Sequence, residues 1–284
     1  MKIRIHLANR IHIRSGMLQA GYLAWSLYGV SENQSVLIES KTPPFQIREM
    51  GEQNFAGFIK LPALKANDEF PFKITLLFST KNLQFPIINF KFNSYPKSFL
   101  SQYCRGTKFW EVNDPDLMGI AKTLRTESGD DVLSYLRNTY NFVQKNIKFR
   151  ENQDQRFGAR RALQEGKGDC DEFSDLFITL CRISHIPARR IIGVLLTGSD
   201  TFSLHAWAEV YIPLYRIWVP FDAALNEFAS IKWNYLLRAH VGLKNEMPLI
   251  WFKSKVGKNF HAEFEASDIS QISVLPNNSS LKVK

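Results

Sequence analysis

Gly168-Asp169-Cys170-Asp171-Glu172-Phe173-Ser174-Asp175-Leu176-Phe177-Ile178-Thr179-Leu180-Cys181 is the stretch on which the fold turns. A glycine-broken loop ends at Gly168, and Phe173, Leu176, Phe177, Leu180 and Cys181 then fall at i, i+3, i+4, i+7 and i+8, the spacing of one helical face. Cys170 therefore opens an amphipathic helix. Unpaired N–H groups and the helix dipole favour negative charge at such a start, and a thiolate is the nucleophilic form of cysteine. Asp169, Asp171 and Glu172 crowd the same turn and oppose that field. The thiol then depends on a basic partner for its activation.

Downstream, Pro187 closes the helical region and three short β runs follow, Ile191 to Leu196, Leu204 to Ile212 and Ile217 to Phe221. In the second run His205, Trp207, Glu209 and Tyr211 share one face, and in the third Trp218, Pro220 and Asp222 do. If the two form a hairpin through Pro213-Leu214-Tyr215-Arg216, His205 and Asp222 lie about equally far from its midpoint. An antiparallel pairing then sets them side by side on one face, within about one residue. Cys170 as nucleophile, His205 as base and Asp222 as orienting carboxylate make a triad for acyl transfer. Pro220 cannot donate to a ladder, which predicts an edge or a bulge there.

Upstream, Asn113-Asp114-Pro115-Asp116 reads as a helix start, with Asp114 as cap and Pro115 in the first turn. A second helix is expected after Ser128-Gly129-Asp130 and a short one through Ala159 to Gln164. Residues 1–95 read as short strands: an alternating run in Lys2 to Arg14, then Ser35 to Ser40, Gln46 to Met50, Phe55 to Leu61, Phe72 to Ser79 and Phe85 to Phe92. Trp233 to Ala239 reads as a short helix. The expected division is a β-rich domain at 1–95, a catalytic domain at 96–265 and a partly flexible tail at 266–284.

The chain has 284 residues, 45% of them hydrophobic, a net charge of +9 and three cysteines. Basic residues are spread rather than interleaved with aromatics, so no nucleic-acid module is indicated. No apolar run approaches the roughly 20 residues of a membrane span, and Met1 to His6 lacks the apolar segment of a secretory signal. Cys104, Cys170 and Cys181 form no CxxC pair and no zinc spacing. A cytoplasmic protein with a free thiol, no metal and no cofactor is expected; its oligomeric state is not encoded in any motif.

Four blocks together carry a family resemblance: Gly168 to Leu176, Cys181 to Arg189, His205 to Tyr211 and Trp218 to Ala223. Across residues 110–230 the chain resembles the transglutaminase-like superfamily. That resemblance implies an α+β, papain-like core of helices packed on an antiparallel sheet, preceded by a β-sandwich-like N-terminal domain of the kind that many microbial members carry. It also implies Cys170 as nucleophile, His205 as general base and acid, and Asp222 as orienting residue. The glycine usual before Ile-Pro-Ala-Arg is replaced by His185. The block around His205 is also similar to peptide N-glycanases, whose paired zinc cysteines this chain lacks. Gln164, six residues before Cys170, has the spacing of the oxyanion-hole glutamine of papain-like peptidases, or is a plain helix residue. Trp207 either packs around the His/Asp pair or lines a substrate groove. The expected activity is attack on a protein or peptide amide through a thioester, resolved by water as in a protease or amidase. The alternatives are transfer to an amine, as in a transglutaminase, and a binding or scaffold protein that retains the triad.

Overall fold

In the computed structural model, residues 1–151, 155–242, 248 and 250–275 are described. The chain begins with β1 (Lys2–Ser15), β2 (Gly21–Ser26), β3 (Gln34–Thr42), β4 (Phe45–Gly51), β5 (Asn54–Leu61) and β6 (Glu69–Thr80). Helices follow: α1 (Lys97–Tyr103), α2 (Pro115–Ser128), α3 (Val132–Asn146), α4 (Ala159–Glu165) and α5 (Cys170–Ile183). The chain then forms β7 (Ala188–Leu196), β8 (Phe202–Ile212), β9 (Ile217–Asp222), β10 (Tyr235–Val241), β11 (Ile250–Lys253) and β12 (His261–Leu275), with a few two-residue pairings between them. None of the helices among the described residues is long and apolar enough to cross a membrane.

The β unit is a pair of antiparallel sheets ordered β12-β1-β6-β3 and β11-β2-β5-β4. Alternation builds it: Ile3, Ile5, Leu7, Ile11 and Ile13 are buried along one face of β1 and pack with Trp25, Ile59, Phe72 and Phe78. Both sheets take an outer strand from the far end of the chain. β12 pairs with β1 from Lys2↔Leu275 to Ser15↔His261, and β11 pairs with β2. The expected boundary between residues 265 and 266 thus falls inside a strand. Residues 266–275, read from sequence as tail, are strand, and 276–284 lie outside the described residues.

The α+β core has an antiparallel sheet ordered β9-β8-β7-β10, extended beside β9 by Glu227–Phe228. Helices α2, α3 and α5 bury Leu117, Leu136, Val143, Leu176 and Leu180 with Ala208, Val210 and Val219 of the sheet. Asp114 caps α2 as the sequence indicates, and Asp131 caps α3. Asp114 accepts from the N–H groups of Asp116 and Leu117, each at 3.1 Å, and Asp131 accepts from those of Leu133 and Ser134.

Two expectations fail. Residues 85–90 are irregular; Leu83–Gln84 pair with Ser230–Ile231, and Lys91 forms a single bridge to Asp131. Pro86 interrupts the run, and Phe90, Phe85 and Ile87 are apolar because they pack on the helical core. Trp233 to Ala239 is not a helix: Tyr235–Val241 is the edge strand β10 against β7. The strand is buried on both faces, Arg238 and His240 included, and Tyr235, Leu237, Ala239 and Val241 alternate along one of them as a strand requires.

Arg182, buried in the last turn of α5, ties the helix to its surroundings. It donates to the carbonyls of Ala188, Gly242 and Arg105 and lies 4.1 Å from the Trp110 ring centroid. Just beyond, the helix ends in a Schellman turn, with Ile186 N–H bonded to Cys181 O at 2.9 Å and His185 N–H to Arg182 O at 3.0 Å. That turn puts His185, where the resemblance implied glycine, at φ 58°. A side chain in this left-handed region costs about 1–2 kcal/mol, and the His185 side chain is exposed. His185→Gly is therefore expected to raise the free energy of urea unfolding by about 1 kcal/mol; an unchanged or lowered midpoint would contradict the strain.

Candidate active site

Cys170 is the first residue of α5 and is half-buried. A capping box fixes the helix start: Asp169 accepts from Asp171 N–H at 2.9 Å, and Glu172 reaches back to Asp169 N–H at 3.1 Å. Glycine at 168 makes this possible, because a Cβ there would sit 2.3 Å from that of Glu172. One turn on, the Ser174 hydroxyl lies 2.7 Å from Cys170 O and 3.3 Å from Ala206 O, which locks the helix start to β8. The Ala206 N–H favours the Cys170 thiolate. The Cys170 end of α5 is thus held against the residue that follows His205.

His205 is buried, and its Nε2 lies 2.6 Å from Asp222 Oδ2. Asp222 Oδ2 also accepts from the Tyr235 hydroxyl at 2.8 Å, while Oδ1 accepts from the N–H groups of Ala224 (3.1 Å) and Leu225 (3.2 Å). A carboxylate has only acceptors to offer, so Nε2 carries the hydrogen and Nδ1 is the basic nitrogen left for the thiol. From α3, Tyr140 donates to Asp222 O and Gln144 to Ala223 O, which fixes the turn behind the carboxylate.

The hairpin register differs in detail from the expectation. Ala208 faces Phe221 and Ile212 faces Ile217, so the tight turn is centred one residue later than expected and Asp222 falls opposite Trp207. His205 and Asp222 still share a face because the offset is two residues, one full pleat repeat. They meet diagonally.

Trp207 is 1% exposed, so it does not line an open groove. It lies between β7 and Tyr235, its ring 6.0 Å from His205 and 5.3 Å from Tyr235 between centroids. Opposite His205, Gly193 leaves room for it, since a Cβ there would be 2.7 Å from the indole. Gln164 is exposed on α4, and no hydrogen bond joins it to Cys170 or His205. The unused backbone donor at the site is the Cys170 N–H, which as first helical residue has no intrahelical acceptor.

Burial pushes the Cys170 thiol up to about 12, with Asp171 and Asp169 adding to the effect and the Ala206 N–H and Arg190 opposing it. A helix start favours an anion by up to about 2 kcal/mol, little more than one pH unit, whereas burial can shift a group by about 3–5 units. Burial wins, and the resting thiol is neutral. The three acids differ in effect. Asp171 is paired with Arg190, and burial lifts Glu172 to about 7 although it accepts from Phe157 and Asp169 N–H groups. The Asp169, Cys170 and Asp171 ligand atoms lie within 4.8 Å of one another, close enough to surround a cation. One Asp169 oxygen is committed to the helix cap, however, and one Asp171 oxygen to Arg190.

Sequence reasoning missed Tyr235 and Ser174 as parts of this site. Only the position of Ser174 one helical turn after Cys170 could have pointed to it.

Residues 119–223 match the profile of the Transglutaminase-like superfamily, and that part of the chain is a transglutaminase-like domain. No curated protein matches the chain. Among solved structures, a candidate cysteine protease from Cytophaga hutchinsonii is 20% identical and superposes with a TM-score of 0.63, over 94% of this chain and 91% of that one. The β unit and the core thus share a fold with that protein. The periplasmic domain of TgpA from Pseudomonas aeruginosa is 12% identical over 77% of this chain and 90% of its own, with a TM-score of 0.40.

The iodoacetamide reaction of Cys170, followed by peptide mass spectrometry, is expected to quicken steadily between about pH 7 and 10 without a plateau below about pH 8. Asp171→Asn should move that profile to lower pH, because it removes a charge that disfavours the thiolate and frees Arg190. A wild-type rate already saturated near about pH 6 would contradict a neutral resting thiol.

Proposed function

We propose that the transglutaminase-like domain is a cysteine-dependent acyl-transfer enzyme that hydrolyses peptide or side-chain amides. The observation that carries this reading is the 2.6 Å His205–Asp222 bond on the strand pair against which the Cys170 helix start is locked. In the first half-reaction the thiol proton passes to His205 Nδ1 as sulfur attacks the amide carbonyl carbon. The carbonyl oxygen becomes an oxyanion beside the Cys170 N–H. The imidazolium, stabilised by Asp222, then protonates the amide nitrogen, the C–N bond breaks and the amine leaves. A thioester remains on Cys170. In the second half-reaction His205 takes a proton from water, the hydroxide adds to the thioester carbonyl, and sulfur departs and is reprotonated.

The substrate is proposed to be a protein or peptide. Phe149 (62%), Leu204 (60%) and Leu225 (39%) are exposed apolar side chains tied to the site. Phe149 pairs with Gly168, Leu204 precedes His205, and Leu225 N–H bonds Asp222. They offer a peptide's apolar side chains a place to bind. Transfer to an amine is the second reading, favoured by the Asp169 and Asp171 carboxylates beside the thiol, which would draw a cationic acceptor. A retained but idle triad in a scaffold protein would need neither the capping box nor the four-donor hold on Asp222. The three cysteines are free, which accords with the proposed cytoplasmic location.

A screen of peptide amides with and without a primary amine is the test. Wild type should turn over and release a free acid; Cys170→Ala should have no activity at unchanged unfolding temperature. Asp222→Asn should lower kcat by about 10⁴-fold, because it leaves the imidazole in the wrong tautomer. Incorporation of the amine in place of water would establish the second reading. Turnover that survives Cys170→Ala would rule out both.

A further inference from the structure

We propose that Tyr235 is a positioning residue that completes a hydrogen-bonded chain Tyr235–Asp222–His205, and that the β unit holds it there through the side chains of Gln34 and Asn54. The proposal rests on the catalytic role given above to His205.

Tyr235 is 3% exposed, and its hydroxyl donates to Asp222 Oδ2, the same oxygen that faces His205 Nε2. Two donors therefore compete for one oxygen. Burial and the neighbouring Asp222 push the phenol far above its ordinary value, so it remains a donor at every pH at which the protein is folded. A strong donor on Oδ2 withdraws negative charge from the atom that would stabilise the imidazolium. It also fixes the plane of the carboxylate, and through it the imidazole.

Other titratable and charged groups surround the pair. Cys170, Asp169 and Asp171 lie at the start of α5, with Asp171 on Arg190 of β7. Tyr140 of α3 holds the Asp222 carbonyl, and Glu227 is engaged by Ser230 and Lys232. Among the described residues, the side chains bonded to the Asp222 carboxylate are those of His205 and Tyr235.

Tyr235 opens β10, the edge of the core sheet. The outer side of an edge strand presents unpaired N–H and C=O groups. Here two amides of the β unit take the place of a neighbouring strand. Gln34 Oε1 accepts from Leu237 N–H at 2.9 Å and its Nε2 donates to Leu237 O at 2.9 Å. Asn54 Oδ1 accepts from His240 N–H at 2.8 Å and its Nδ2 donates to His240 O at 2.8 Å. Both amides are buried. Between them β10 carries a register shift against β7, where Ile192 faces Ala239 and Gly193 faces Leu237. A strand bulged at that point has a weakened ladder, and the amide clamp fixes where Tyr235 emerges.

The measurement is the titration of the His205 imidazole by heteronuclear NMR in the full chain, with the signal assigned by its loss in His205→Gln. Tyr235→Phe keeps the ring and removes the donor. It is expected to raise the His205 midpoint by about half to one pH unit and, where a substrate is in hand, to move the acidic limb of kcat/KM by the same amount with KM unchanged. Gln34→Ala and Asn54→Ala, far from the thiol in sequence, are expected to shift the midpoint in the same direction. A folded Tyr235→Phe with the wild-type midpoint would overturn the chain. Clamp variants that leave the midpoint unmoved while Tyr235→Phe moves it would overturn the role of the β unit. Because the titration needs no turnover, absence of amidase activity would count against the proposed function and leave this test intact.

Discussion

The site depends on how one carboxylate is satisfied. Asp222 lies at the last residue of β9 and receives four donors, two from the backbone of the turn it begins and two from the side chains of His205 and Tyr235. A buried carboxylate with fewer partners would be costly, by about 1–3 kcal/mol for each acceptor left unmade. The surrounding elements are arranged to avoid that cost. α3 holds the turn through Tyr140 and Gln144, β8 supplies His205, β10 supplies Tyr235, and the β unit secures β10. The tautomer of His205 follows from this arrangement, with the hydrogen on Nε2 toward Asp222 and Nδ1 left without it.

The second constraint lies at the other end of the proton path. Cysteine at a helix start is often described as poised to ionise. Here desolvation outweighs the helix dipole, and Asp169 and Asp171 act in the same sense as desolvation. In the proposed reaction the thiol would accordingly behave more like a serine hydroxyl than like one half of a preformed ion pair, losing its proton during attack. That places the demand on His205 Nδ1, and explains why the imidazole is so closely held, with Trp207 and Tyr235 against its ring.

Local rules made much of the core readable from sequence. The Asp114 cap, the apolar face of α5 and the same-face alternation of His205 and Asp222 each depend on neighbours within a few residues. The hairpin centre was misjudged by one residue because the turn Pro213-Leu214-Tyr215-Arg216 is centred on Leu214-Tyr215 and closes at Arg216 with φ 55°, a conformation no glycine announces. An error of that size moves the register by two and leaves His205 and Asp222 on one face. Where tertiary contacts decide, sequence was silent. Tyr235 to Val241 is an edge strand only because its pairing with the strand Ala188–Leu196 and the cover of the β unit make it one, and both bury Arg238 and His240 as well. Residues 266–275 read from sequence as part of the tail, and the strand His261–Leu275 exists only because β1 supplies a partner. Gln164 matched a spacing, but spacing along a chain does not aim a side chain, and α4 turns it to solvent.

The central claim, that Cys170 is the acyl-accepting nucleophile, is tested most directly by pre-steady-state reaction with an activated ester such as p-nitrophenyl acetate. The account predicts a burst of p-nitrophenolate approaching one equivalent per chain, with the acetyl group recovered on the peptide that contains Cys170. No burst, or an acetyl group recovered on Cys104 or Cys181 instead, would contradict it.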